Sequence, residues 1–255
     1  MNDLPLLTER RDRVLVITLN RPDARNAVNL AMAEAMDAAL TELDASEELS
    51  LGVITGEGKG FSSGMDLKAF ASGERPWSQS RGFAGIVQKP AEKPLIAAVE
   101  GFAVAGGLEI ALACDLVVAA RNARLGIPEV RRGLVAAAGA LRQLPRRVPT
   151  AIAMELALTG ETLTADRAAE LGLVNRVADP GKALDVALEL ADQVAANAPL
   201  ALRASKAILN RQFSWDDETF WAKQGELVAP VFASEDAIEG ATAFAEKREP
   251  NWKGR

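Results

Sequence analysis

The sequence contains no histidine and no tyrosine, and it has a single cysteine among 255 residues. Without histidine, a protein cannot build a Ser-His-Asp triad, a Cys-His dyad or an imidazole base. Acid–base chemistry in this chain therefore falls to carboxylates. The single cysteine excludes a disulfide within the chain and favours a reducing compartment. Because Cys114 lies in the apolar run 110–114, we expect a buried thiol.

Basic charge, targeting signals and metal ligands are also scarce. The net charge of −6 argues against nucleic acid as a main partner, because phosphate binding needs a basic surface. The N-terminus lacks a basic lead followed by an apolar core, and no apolar stretch is long enough to span a bilayer. With one cysteine and no dense Asp/Glu cluster, a metal site is not expected. We therefore expect a cytoplasmic protein without a membrane partner.

The order of secondary-structure patterns predicts an α/β core followed by helices only. The pattern indicates strands at 14–19, 51–55, 94–99, 116–120, 123–127 and 173–177. Helices are predicted after Asn29, near Gly106, and at 151–158, 165–171, 183–197, 199–212, 216–230 and 234–247. Residues 69–90 look like a mobile loop without regular structure or a poorly determined helix. We divide the chain into a core, 1–198, and a C-terminal helical region, 199–255.

Two glycine-rich turns each follow a predicted strand, at 101–107 and at 61–67. The first has the glycine spacing of a phosphate-binding loop, but Gly107 stands where the lysine should be. A dinucleotide fingerprint fails because Ala103 replaces its second glycine. Two approachable backbone turns can instead direct their amides at one oxygen and form an oxyanion hole. The alternative is that the glycines only allow close packing of strand and helix.

Two glutamates, Glu109 and Glu129, lie twenty residues apart in apolar stretches. Apolar surroundings can separate the pKa values of two carboxyl groups, so that one donates a proton while the other accepts one. The alternative for Glu109 is an ordinary glutamate favoured by the helix dipole. The alternative for Glu129 is a solvated residue after Pro128, or an ion-pair partner of Arg131 or Arg132.

Together these segments resemble the enoyl-CoA hydratase/isomerase superfamily, also called the crotonase family. The resemblance covers nearly the whole chain, and the matching blocks occur in the family's order. The blocks are LNRPDARNA at 19–27, FSSGMDL at 61–67, EGFAVAGGLEIALACD at 100–115, GIPEV at 126–130 with its continuation to 146, and EGATAFAEKR at 239–248.

The resemblance implies a spiral of β-β-α turns, closed by C-terminal helices that build trimers, commonly paired into hexamers. It implies an acyl-CoA thioester as ligand, whose thioester oxygen is held by the amides of Met65 and Gly106. Hydratases of the family carry glutamates at the positions of both Glu109 and Glu129, whereas the Δ3,Δ2-enoyl-CoA isomerases usually keep only the second. The chain is therefore interpreted as an enoyl-CoA hydratase that needs no cofactor, since coenzyme A is part of the substrate.

The resemblance also implies which residues contact the substrate. Glu109 is interpreted as the main base for water and Glu129 as the proton donor to C2. The predicted substrate-binding residues are Ala24, Arg25, Ser63, Gly64, Asp66, Leu67, Lys68, Gly107 and Lys247. The alternative for Lys68 and Lys247 is a solvated surface lysine that does not contact the coenzyme A phosphates. The chain departs from the family pattern at Met65, at Ala105, which replaces a frequent glycine, and at 135–138, which replaces a Pro-Gly turn near the acyl site.

Three other functions compete with the hydratase. An isomerase would use Glu129 alone. A glycosidase also uses paired carboxylates, but the absence of tyrosine and the 5% aromatic content leave little surface for sugar stacking. A non-catalytic relative would bind acyl-CoA esters and turn none over.

Overall fold

The computed structural model describes residues 4–255 of the chain. Within that range the strands are β1 (Leu6–Arg11), β2 (Val14–Leu19), β3 (Leu51–Gly56), β4 (Trp77–Ser78), β5 (Gly82–Phe83), β6 (Leu95–Val99), β7 (Phe102–Val104), β8 (Leu116–Ala120), β9 (Arg124–Gly126), β10 (Thr162–Thr164) and β11 (Arg176–Ala178). The α-helices are α1 (Leu30–Ala45), α2 (Leu67–Ala71), α3 (Gly106–Ala113), α4 (Ala140–Arg147), α5 (Thr150–Thr159), α6 (Ala165–Glu170), α7 (Ala183–Ala195), α8 (Pro199–Arg211), α9 (Asp217–Phe232) and α10 (Glu235–Glu246). Short 3-10 helices span Pro22–Ala24, Pro128–Arg132 and Gln212–Ser214.

A six-stranded sheet with the order β1-β2-β3-β6-β8-β11 forms the centre of the fold. Only β1 and β2 pair antiparallel, and the other neighbours run parallel. The inner strands are buried along nearly their whole length, as expected for parallel strands covered on both faces. Each parallel pair needs a crossover, and α1 supplies the one between β2 and β3. The Asn29 side chain begins this helix by accepting a hydrogen bond from the Met32 amide.

A second, smaller sheet lies beside the first and has the order β10-β9-β7. Successive strands alternate between the two sheets: β6 and β8 belong to the large sheet, whereas β7 and β9 belong to the small one. The helix α3 connects β7 to β8. An isolated bridge between Ser62 and Ala103 places the loop after β3 next to β7. The chain therefore winds in β-β-α turns, which confirms the predicted spiral and the α/β class.

Two apolar clusters fill the core. The larger lies between the sheets and the helices α1, α3, α4 and α5, and the smaller lies between the large sheet and α7. Helix α7 packs across β3, β6 and β8 with Ala187 and Ala191 fully buried. Cys114 is buried as expected, and burial raises the pKa of its thiol to about 12. Packing in the core thus fixes the positions of the strand ends, and the candidate site lies at these ends.

The C-terminal helices α8, α9 and α10 are packed differently. No residue of α8 or α9 is buried, and α10 buries only Asp236 and Ala243. Several large apolar side chains are exposed there: Leu209, Phe213, Trp221, Phe232, Ile238 and Phe244. None of the helices between residues 4 and 255 combines the length and the hydrophobicity that a membrane span needs.

Most predicted elements are present, with boundaries shifted by a few residues. The largest shift is in the last strand, which the sequence pattern places at 173–177 and which lies at Arg176–Ala178. The prediction of an irregular segment at 69–90 is wrong in part. That segment contains the end of α2 and the antiparallel pair β4 and β5, and it buries Phe83 and Ile86. Strands of two residues are too short to leave a periodic pattern.

Candidate active site

A cavity of about 750 Å³ opens between the loops that follow β3 and β7 and the 3-10 helix Pro128–Arg132. Ten of the thirteen predicted site residues line it, although they come from four separate stretches of the chain. These ten are Ala24, Arg25, Ser63, Met65, Asp66, Leu67, Lys68, Gly106, Glu109 and Glu129. The winding of the spiral brings the four stretches together.

Glu109 lies in the first turn of α3 and is only 4% exposed. Its Oε1 accepts a hydrogen bond of 3.1 Å from the Ala140 amide, the first residue of α4. The pKa of Glu109 is raised to about 7, mainly by burial and also by the nearby Glu129, against the lowering effect of the Ala140 and Ala138 amides. A carboxyl group with this pKa exchanges protons near neutral pH, as a general acid or base must.

Glu129 follows Pro128 in the second 3-10 helix, and its side chain faces the same cavity. Its Oε2 is buried, and it has no hydrogen-bond partner within residues 4–255. Burial also raises the pKa of Glu129. The alternative of a solvated or ion-paired glutamate is therefore wrong, since Arg131 pairs with Glu161 instead.

The backbone amides of Met65 and Gly106, both at the cavity, have no acceptor among the described residues. On either side of Met65, the Val28 amide donates to the Gly64 carbonyl and the Asp66 amide donates to the Val28 carbonyl. These bonds hold the strand-like contact and leave the intervening Met65 N–H unused. The second amide begins α3, where the helix dipole adds positive potential. Both are available to an oxygen of a ligand.

Close packing of two loops brings these amides together. A Cβ atom on Gly64, whose φ is +88°, would lie 2.5 Å from the Gly106 nitrogen, so no larger residue fits there. A Cβ atom on Gly107 would lie 2.1 Å from the Ser62 carbonyl oxygen. Ala105 adopts φ 52° and ψ −131°, a backbone conformation that is costly for any residue but glycine. This strained residue sets the direction of the peptide that carries the Gly106 N–H.

Asp66 and Arg21 form an ion pair of 3.0 Å at one wall of the cavity. The carboxylate of Asp66 also caps α2 by accepting from the Lys68 and Ala69 amides. Burial opposes ionisation, but the Ala69 amide and the guanidinium outweigh it, so the pKa of Asp66 is lowered. Its side chain is therefore engaged in holding the loop. Near it, Arg25 and Lys68 are exposed and make no ion pair with any described residue.

Three predicted substrate-binding residues do not line this cavity. Gly64 and Gly107 lie behind it, where they allow the close approach of the two loops. Lys247 ends α10 in a left-handed conformation and lies outside the cavity of its own chain. A contact between Lys247 and coenzyme A stays a prediction.

The sequence patterns missed several residues that line the cavity. Trp77 and Phe83 face it from β4 and β5, with ring centroids 5.2 Å apart and an edge-to-face arrangement. They belong to the segment that was expected to be irregular, so no periodicity identified them. Arg132 and Val135 also line the cavity, from the stretch that follows Glu129. Within residues 4–255, no group of three or more metal-ligating side chains occurs.

The family model for enoyl-CoA hydratase/isomerase matches residues 9–255. The chain belongs to this family. A carnitinyl-CoA dehydratase from Salmonella enteritidis PT4 is 42% identical over 254 residues, covering 96% of this chain and 97% of the relative. Membership in the family confirms the sequence-based assignment to the crotonase superfamily.

Solved structures of the family superpose closely on the chain. An enoyl-CoA hydratase from Mycobacterium marinum is 54% identical, with a TM-score of 0.97 over 99% of this chain and 100% of that one. A carnitinyl-CoA hydratase from Mycobacterium avium is 44% identical, with a TM-score of 0.79 over all of both chains. The crotonase fold therefore extends to this chain.

Proposed function

We propose that the protein is an enoyl-CoA hydratase, which reversibly adds water to a 2-trans-enoyl-CoA and gives the 3-hydroxyacyl-CoA. The observation that carries the proposal is the pair of buried carboxyl groups, Glu109 and Glu129, with raised pKa values at one cavity. Relatives named as hydratases and dehydratases of CoA thioesters support the same hydro-lyase reaction.

The thioester oxygen would accept hydrogen bonds from the Met65 and Gly106 amides, which have no acceptor among the described residues. When water attacks C3, negative charge moves through the conjugated system onto this oxygen. Amides fixed in a strained, closely packed loop stabilise that charge without having to reorganise. Removal of one such donor costs about a hundredfold to a thousandfold in rate in comparable sites.

Glu109 takes a proton from the attacking water as its oxygen bonds to C3, and Glu129 gives a proton to C2. The cycle needs one of the two carboxyl groups ionised and the other protonated. Mutual proximity in a buried site favours this state, because two adjacent anions repel. The pair titrates as a unit, and a proton passing from Glu109 to Glu129 restores the starting state.

The assembly and location are part of the proposal. The exposed apolar side chains of α9 and α10, among them Trp221, Phe232 and Phe244, support contacts with other copies of the chain in a homotrimer or homohexamer. We propose a cytoplasmic enzyme that needs no cofactor beyond the coenzyme A of its substrate. Neither nucleic acid nor a membrane is proposed as a partner.

Hydration of crotonyl-CoA in 18O-labelled water tests the proposal. We expect loss of the enoyl-thioester absorbance and a product heavier by one labelled water. Glu109→Gln should lower the hydration rate by at least about a hundredfold, because the base for water is lost. If the protein instead converts 3-enoyl-CoA to 2-enoyl-CoA, and Glu109→Gln keeps most of that isomerisation activity, the enzyme is an isomerase. Binding without turnover would instead identify a non-catalytic acyl-CoA-binding protein.

A further inference from the structure

Among the cations that line the cavity, Arg132 is the one that shares an element with a reacting carboxyl group. It lies in the same 3-10 helix as Glu129, Pro128–Arg132, and both residues line the cavity. A 3-10 helix repeats every three residues with a rise of about 2.0 Å per residue. Arg132 therefore lies one turn beyond Glu129 on the same side of the helix, about 6 Å further along its axis.

The guanidinium of Arg132 is not neutralised by the protein. It makes no ion pair or hydrogen bond with any residue between 4 and 255, whereas the adjacent Arg131 binds Glu161 and the Thr159 carbonyl. A contact with Glu129 would lower the pKa of that carboxyl, yet burial raises it. Arg132 thus borders the cavity as an exposed cation that is available to a ligand.

Arg132 lines a different part of the cavity from the two cations that are suited to bind the coenzyme. Arg25 and Lys68 lie on the wall formed by 21–27 and 63–68, and neither has an ion-pair partner in the described chain. Arg132 lies on the wall formed by 128–138, where the other lining side chains of 134–138 are the neutral Leu134, Val135, Ala137 and Ala138. Phosphates of coenzyme A therefore have cations of their own on the other wall.

We propose that Arg132 selects acyl groups that carry a carboxylate two carbons beyond C3, so that the preferred substrates are enoyl-CoA thioesters of short dicarboxylic acids. The inference rests on the proposed hydratase function and adds the substrate class. Glu129 acts at C2, and an acyl group that extends past C3 along the 3-10 helix meets the guanidinium next. Arginine binds carboxylates through two parallel hydrogen bonds, which gives both affinity and orientation.

Three acyl groups of similar length, whose ends differ in charge, provide the test. Glutaconyl-CoA ends in CH2–COO−, 5-methylhex-2-enoyl-CoA in CH2–CH(CH3)2, and 4-trimethylammonio-but-2-enoyl-CoA in CH2–N(CH3)3+. Their saturated counterparts glutaryl-CoA and 5-methylhexanoyl-CoA bind without turnover, so calorimetry on them measures selectivity independently of catalysis. The variants are Arg132→Met and, as the matched control on the same helix, Arg131→Met.

We expect Arg132→Met to weaken the binding of glutaryl-CoA relative to that of 5-methylhexanoyl-CoA. The ratio of the first dissociation constant to the second should rise about tenfold to a hundredfold. Arg131→Met should leave this ratio within about twofold, because an exposed ion pair outside the cavity contributes little. The effect should shrink as salt is added, since the guanidinium is exposed. Arg132→Glu should shift kcat/KM towards the trimethylammonio substrate.

Two results would overturn the inference. An equal loss of affinity for both saturated ligands would place Arg132 on the coenzyme, and an unchanged ratio would show that it meets no acyl carboxylate. If the unaltered enzyme hydrates neither crotonyl-CoA nor any of the three enoyl-CoA substrates, the proposed function fails. The binding ratio would still decide the role of Arg132 in that case.

Discussion

The core, 4–198, and the C-terminal helical region, 199–255, differ in how far their apolar side chains are buried. Strands such as β3 and β6 are buried almost completely, whereas Trp221, Phe232 and Phe244 are 72%, 79% and 88% exposed. The carboxyl groups differ too. Burial raises the pKa of Glu109 to about 7, whereas in the tail a hydrogen bond from Arg248 lowers the pKa of Glu239 to about 2.

This contrast separates two tasks. The core uses desolvation to build a reactive site, because a carboxyl group in an apolar cavity holds its proton to neutral pH. The tail keeps its charges in water and exposes apolar surface, which is the pattern of an interface with another chain. Substitutions in the core should therefore change chemistry and leave assembly intact, and substitutions in the tail should do the reverse.

The largest effect is expected for Glu129→Gln. It removes the group that donates a proton to C2, so hydration of crotonyl-CoA should slow by about a hundredfold to ten-thousandfold. Acyl-CoA affinity should stay within about tenfold, because the Met65 and Gly106 amides remain. The control is Glu155→Gln, an exposed carboxylate of α5 outside the cavity. A variant that retains a tenth or more of the rate would remove Glu129 from the mechanism.

Met65 tests the amide and the side chain separately. Met65→Pro removes the N–H and should cost about a hundredfold to a thousandfold in rate. Met65→Ala keeps the N–H and should stay within about tenfold. Only a proline variant with unchanged circular dichroism and oligomer mass counts, since a misfolded loop would also lose activity. Normal turnover by such a variant would show that the oxyanion hole lies elsewhere.

The pH dependence of stability should reveal the buried carboxyl. Between its usual pKa of 4.5 and about 7, folded Glu109 keeps a proton that the unfolded chain releases. The free energy of unfolding should therefore fall as pH rises through this window, by on the order of 3 kcal/mol, and stay low above it. Urea unfolding at pH 5 and pH 8, at one protein concentration, should show a larger fall for the native chain than for Glu109→Gln, in which only Glu129 of the two still contributes. Equal pH dependence in the two proteins would contradict the burial of Glu109.

The smallest effect concerns the tail. Phe244→Glu should raise the dissociation constant of the oligomer at least about thirtyfold, because an apolar contact is replaced by a charge. The control is Ala245→Glu, which adds the same charge at the next exposed position without removing a large apolar group. Light scattering over a dilution series measures both. If Phe244→Glu dissociates no more readily than the native chain, this face of α10 is not in the interface.

The amino-acid composition and the local patterns were enough to determine the class of chemistry. The absence of histidine left carboxylates as the acid–base groups, and the glycines at 64, 106 and 107 marked turns where a backbone comes close to its neighbours. The strand and helix periods predicted β2, β3, β6 and α1 because these elements are long and regular. The family resemblance supplied the fold and the pairing of the two glutamates.

Contacts between distant segments decided what surrounds those residues. Such contacts exist only in the folded chain. They bury the Oε2 of Glu129, bring the Ala140 amide to Glu109, and place Trp77 of β4 at the cavity. Local periodicity contains no information about them. The same holds for Arg131 and Arg132, which are identical neighbours in the sequence. A step of one residue in a 3-10 helix, about a third of a turn, directs the first to Glu161 and the second to the cavity.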